Sequence, residues 1–206
     1  MIALAVKSLV ERRGALASEV IARDTEIDRV EVRIEEECLK MLALHQPVAA
    51  DLRRITTMMR VNNDLERIAD LACNIAQRAD SLCPHPEFPI PSGINEMATM
   101  ITKMVRHSLD AFVRRDTGLA RSVIEMDDPV DAKNVEVIET LARLMGRDPS
   151  QIVAALHCFS ASRHLEQIGD HAVSIAEDII YMFDGVIIRH RQIKPTPSQS
   201  SRRMDP

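Results

Sequence analysis

Apolar residues recur at helical spacing along almost the whole chain, with polar residues filling the opposite positions. Leu4, Leu9, Leu16 and Val20 set a 3.6-residue stripe over residues 2–23. Asp24 is placed to cap a second helix reaching about Leu44 through Ile27, Val30, Ile34, Cys38 and Leu42. His45-Gln46-Pro47 breaks the pattern, and Pro47 suits the opening turn of a third helix over about 48–81. Four prolines between 84 and 91 then interrupt all periodicity. The stripe resumes over about 94–126, restarts at Asp128-Pro129, and restarts again behind Asp148-Pro149, a cap and first-turn pair opening a last helix over about 149–184.

The second stretch repeats the first. Leu65-Glu66-Arg67-Ile68-Ala69-Asp70, with Ala72, Ile75 and Ala76, returns at an offset of 100 as Leu165-Glu166-Gln167-Ile168-Gly169-Asp170, with Ala172, Ile175 and Ala176. Leu16, Ala17, Val20, Ile21, Asp24 and Asp28 return at an offset of 103 as Leu119, Ala120, Val123, Ile124, Asp127 and Asp131. A tandem duplication is expected. The fold expected is all-α, two tandem three-helix bundles related by an internal pseudo-twofold. Residues 1–83 form the first repeat, 84–92 a Pro-rich linker, 93–185 the second repeat and 186–206 a polar, disordered tail. At the offset of 103 Met1 aligns with Met104, so the first helix has no match for the eleven residues 93–103 and is expected to be truncated.

Composition narrows the interior and the function. Hydrophobic residues make up 46% of the chain, aromatic residues 2%, and Trp is absent. Ala, Leu, Ile, Val and Met must therefore fill the core, and six Gly in 206 residues supply little material for hairpin turns. A formal charge of −5 argues against binding nucleic acid by phosphate neutralisation. No apolar run approaches a membrane span, and the start lacks the basic segment and cleavage site of a signal peptide. Cys38, Cys73, Cys83 and Cys158 lack metal-ligand spacing and read as reduced thiols.

The repeated acids carry the candidate chemistry. Asp28 lies 17 residues before His45 and Glu66 lies 19 after Pro47, so antiparallel helices would bring both acid pairs to one level. Spacing of i, i+4 puts the acids of each pair on one helix face. Two carboxylate quartets are expected: Asp24, Asp28, Glu66 and Asp70, then Asp127, Asp131, Glu166 and Asp170. Four converging carboxylates repel and lose solvation, which a cation would relieve. Oxygen ligands suit Mg²⁺, Ca²⁺ or Mn²⁺, and carboxylate-bridged Fe also fits. The competing reading is a hydrated acidic stripe paired with Arg23 and Arg67. No histidine follows an acid by three residues, so the Glu-x-x-His of di-iron bundles is missing.

With these residues in place, Gln46-Pro47-Val48-Ala49-Ala50-Asp51-Leu52-Arg53, the two acidic motifs and Asn74-Ile75-Ala76 resemble the PhoU phosphate-transport regulators over about residues 3–185. The resemblance implies a cytoplasmic, non-enzymatic regulator that damps phosphate-starvation signalling. It implies links to the Pst phosphate transporter, chiefly its ATPase subunit, and to a PhoR-type sensor kinase, with homodimer assembly and membrane contact only through partners. It also implies metal ions (Mg, Mn, Fe, Zn or Ca) at the eight acids named above, with no catalytic residue. Gln167 departs from the resemblance: it stands where the family commonly has Arg, which removes a cation beside the second quartet. A di-metal helical-bundle enzyme and a metal-free helical scaffold are the rival readings.

Overall fold

The structure, a computed structural model, describes residues 1–188. Its elements are α1 (Ile2–Glu11), α2 (Gly14–His45), α3 (Ala49–Leu82), α4 (Gly93–Arg114), α5 (Thr117–Glu125), α6 (Asp127–Arg147) and α7 (Ile152–Asp184). Among the described residues there is no strand. The tail expected from 186 onward lies, past residue 188, outside the described residues.

Helix α3 and helix α7 pair along their length at the centre. Arg53 Nε donates to the Met182 carbonyl at 3.2 Å, and Arg60 Nη1 stands 3.4 Å from Asp178 Oδ1. Further along, His171 Nδ1 lies 2.8 Å from Asp64 Oδ1. Rising positions on α3 meet falling positions on α7, so the pair is antiparallel. Helices α1 and α2 flank α3, while α4, α5 and α6 flank α7. The buried residues form one continuous cluster that draws Ile68, Ala72, Ile75 and Ala76 from α3 and Ile168, Ala172, Ile175 and Ala176 from α7. Alanine at four of these eight positions lets the helices approach closely. Each buried isoleucine contributes about 1.5–3 kcal/mol relative to exposure.

The breaks differ from the sequence expectation at the first corner of each half. Asp24 caps nothing: it lies inside α2, and the chain turns twelve residues earlier, at Arg12. Arg12 adopts the left-handed conformation (φ 52°), its N–H donates to Leu9 O and the Arg13 N–H to Ser8 O, which satisfies the carbonyls at the end of α1. Its guanidinium donates to Phe88 O at 2.5 Å, tying this corner to the linker. The second half breaks at the equivalent Arg115 (φ 57°), and Asp116 Oδ1 caps α5 by accepting from the Leu119 N–H at 2.9 Å. The expected 94–126 helix is therefore α4 plus α5. At the other predicted restart, Asp148 Oδ1 accepts from the Ser150 N–H at 3.0 Å, and a single 3₁₀ turn over Pro149–Gln151 leads into α7.

Candidate functional site

The α2–α3 turn at Gln46 folds the chain back on itself, which brings Asp24 on α2 within electrostatic reach of Asp70 on α3. Burial raises the pKa of Asp24 above the usual carboxylate value; Asp28 on its own helix and Asp70 on α3 add to that, and the Cys73 thiol opposes it. Burial likewise raises Glu66, with further repulsion from Asp70 and from Glu31 on α2. Acids on both helices thus act on one another. Cys73 sits beside Asp24 and donates to Val20 O at 3.9 Å. Its burial, and next the neighbouring Asp24 charge, push that thiol up to about 12, so it remains protonated.

In the second quartet the other three acids all act on Asp127. Asp127 opens α6 and rests over Gly169, where a Cβ would stand 3.9 Å from its Oδ1. Burial, then Asp131, Asp170, Asp128 and Glu166, push the Asp127 carboxyl up to about 6. Asp170 is raised by burial and by Asp131 across the α6–α7 interface. Glu166 is raised by burial, against the attraction of Arg163. All four members of the motif therefore share one electrostatic neighbourhood.

Arginines partly answer these charges. Arg67 stands 3.4 Å from Glu66 Oε2 and 3.2 Å from Asp70 Oδ2, whereas Arg23 pairs with Glu19 at 2.6 Å. In the second half the cation comes from Arg163, whose Nη1 lies 2.6 Å from Glu166 Oε2. Gln167, at the position of Arg67, instead has its Oε1 3.4 Å from His164 Nδ1. The i, i+3 spacing of Arg163 and Glu166 was the available signal for that substitution of roles.

The donor set suits a hard cation, being all carboxylate oxygen, and Asp24 Oδ1 is buried beside the Cys73 thiol. Its orientation is another matter. Among the described residues, no three His, Cys, Asp or Glu side chains converge closely enough to hold one ion. The quartets are therefore gathered and mutually repelling, but their side chains stand apart.

Two further groups escaped the sequence reading. His171 bridges α7 to Asp64 on α3, and nothing in its i, i+4 neighbourhood announces a partner 107 residues away. His164 is half-buried against Ser160 Oγ at 3.2 Å, and burial lowers its pKa. No described helix is long and apolar enough to cross a membrane.

The sequence matches the PhoU domain family over residues 1–79 and 94–179, which are the two repeats. It is 40% identical over 187 residues to the phosphate-specific transport system accessory protein PhoU homolog of Pseudomonas aeruginosa, covering 90% of this chain and 77% of that one. With the corresponding homolog of Aquifex aeolicus the identity is 41% over 190 residues, 92% of this chain and 86% of the relative. The fold is similar to the crystal structure of PhoU from Pseudomonas aeruginosa, with a TM-score of 0.85 and 39% identity over 90% of this chain and 89% of that one. The phosphate transport system regulatory protein PhoU from Streptococcus pneumoniae shares the fold at a TM-score of 0.82 and 24% identity, over 90% and 87% of the two chains.

Proposed function

Since the chain belongs to the PhoU family, we propose that it is an accessory protein of phosphate-specific transport that restrains phosphate uptake and phosphate-starvation signalling. The observation that carries this reading is 40% identity spread over 90% of the chain, both repeats included, to a relative bearing that name. In this reading the protein is a cytoplasmic adaptor without catalysis, a homodimer that docks on the ATPase subunit of the transporter and on a PhoR-type kinase. The test is complementation. In a strain lacking its own PhoU, this chain should restore repression of a phosphate-starvation reporter in high phosphate. Continued derepression at normal protein levels would overturn the assignment.

The second part of the proposal concerns the quartets Asp24, Asp28, Glu66, Asp70 and Asp127, Asp131, Glu166, Asp170. We infer that each takes a divalent or trivalent cation, which supplies the positive charge these acids lack and draws their side chains together. A cation bound to one arrangement of the hairpins stabilises that arrangement and so biases which partner it fits. The wide placement of the carboxylates favours a competing reading, a scaffold whose acids stay hydrated. Elemental analysis of protein purified without chelator, together with melting before and after chelation, decides between them. Bound metal and a lowered midpoint support the cation site; neither supports the scaffold.

A further inference from the structure

The central α3–α7 pair is closed differently at its two ends. At one end Arg60 of α3 stands 3.4 Å from Asp178 of α7, an acid only 1% exposed. The repeat's offset of 100 exchanges the two helices: the place of Arg60 falls to Ser160 on α7, and the place of Asp178 falls to Arg78 on α3. The first end thus sets a cation against an acid. The second sets a cation against a serine, whose Oγ is already engaged with His164 Nε2 at 3.2 Å. Arg78 is half-buried with its Nε shielded from solvent, and among the described residues it has neither an ion-pair nor a hydrogen-bond partner. A guanidinium taken out of water in this way loses hydration that no group of the chain returns.

Its neighbours add positive charge instead of removing it. The register that sets Arg53 against Met182 and Asp64 against His171 sets Arg78 against His157. Burial lowers the pKa of His157, and Arg78 and His85, the latter in the connection after α3, lower it further. No carboxylate is among the charges acting on that ring. Arg12 lies within electrostatic reach of Cys158, the next residue of α7. His85 and His157 are half-buried, and neither ring makes a hydrogen bond among the described residues. His164 is committed elsewhere, with Ser160 on one nitrogen and Gln167 Oε1 at 3.4 Å on the other.

We propose that Arg78, His157 and His85 seat a small tetrahedral oxyanion of the phosphate class, which gives Arg78 the negative charge that Asp178 gives Arg60. The guanidinium fork takes two oxygens of such an anion, and each imidazole donates an N–H to those that remain. The seat is separate from the acid quartets. It rests on the side chains alone and not on the transport assignment.

The test is calorimetric titration of the full chain with inorganic phosphate. Ionic strength is held constant with sodium chloride, and chelator is present so that no cation in the quartets captures the anion. Saturable binding with a Kd of about 1 mM or tighter is expected, and phosphate should raise the melting temperature where chloride does not. Arg78→Gln should weaken binding about tenfold or more, and Arg78→Lys, which keeps the charge but loses the fork, should weaken it too. Without phosphate, Arg78→Gln should melt no lower than the parent, because it removes an unanswered charge and no contact. Ser160→Asp, which puts a carboxylate opposite Arg78, should raise the midpoint without phosphate and abolish phosphate binding. The proposal is overturned if binding does not saturate by about 10 mM, or if chloride stabilises as much as phosphate. It is equally overturned if Arg78→Gln and His157→Gln bind as the parent does, if Ser160→Asp leaves binding intact, or if Arg78→Gln melts lower without phosphate, which makes Arg78 a structural cation. Each of these outcomes leaves the complementation test untouched, since that experiment reads a different property.

Discussion

His171 on α7 and Asp64 on α3 meet at 2.8 Å, joining the two repeats through side chains 107 residues apart. Asp64 is largely buried there, its side chain 14% exposed. Removing the imidazole leaves a shielded carboxylate with one partner fewer, a loss larger than that of the hydrogen bond alone. His171→Ala should therefore destabilise the chain by about 1–2 kcal/mol in urea unfolding. The double variant with Asp64→Asn should recover part of that loss. If His171→Ala proves neutral, the contact does not help hold the repeats together.

Asp127 and Gly169 make a second close relationship, with a consequence for α7. A Cβ on Gly169 would lie 3.8 Å from Val130 Cγ1 and 3.9 Å from both Asp127 Oδ1 and Ile101 Cγ1, ordinary contact distances. The first repeat already has Ala69 at this position. Glycine in a helix interior costs about 0.5–1 kcal/mol relative to alanine, so Gly169→Ala should raise stability by about that amount. A loss of stability would show that α6 needs to approach more closely than these distances imply.

The crowding around Asp127 sets a pH dependence. Its carboxyl titrates at about 6 in the fold against an ordinary 3.8, so the folded state holds its proton longer than the unfolded chain. Through pH 4–6 the unfolded state ionises first, and stability from this group falls as pH rises, reaching a constant lower level above about 6. Asp127→Asn should flatten that fall and raise stability at pH 7.5 without added metal. A bound cation acts in the opposite sense, because it needs the carboxylates ionised. Stabilisation by Mn²⁺ or Mg²⁺ should therefore be present at pH 7.5, shrink below pH 6, and be reduced in Asp127→Asn. An equal thermal shift at pH 5 and 7.5 would contradict the cation site.

Much of this arrangement could be read from spacing. Asp28 and Glu66 count to the same level from the Gln46 turn, whereas the acids that act on each other across α2 and α3 are Asp24 with Asp70 and Glu66 with Glu31. Asp148-Pro149 marked its helix start because a cap and a fixed proline φ act locally. What spacing could not give was Arg12. An arginine in the left-handed conformation has no sequence signature of its own, and its side chain is fixed by a carbonyl 76 residues away, at Phe88. The orientation of the eight carboxylates was equally hidden: i, i+4 periodicity assigns a face, whereas whether the oxygens converge depends on rotamers and on arginines such as Arg163.

Ile34 and Val137 occupy equivalent positions of the two repeats, so one substitution made at both compares a half-exposed site with a covered one. Val137 is 2% exposed beneath Gly93, and aspartate there would place a charge in an apolar site beside a Lys133 already paired with Glu96. Such burial costs about 3–5 kcal/mol when poorly compensated. Ile34 is 38% exposed at its matching site, where aspartate remains in water and should change stability by about 1 kcal/mol or less. Urea midpoints of Val137→Asp and Ile34→Asp should therefore separate clearly, with the first far lower. Equal midpoints for the two single variants would mean that Ile34 is packed as closely as Val137.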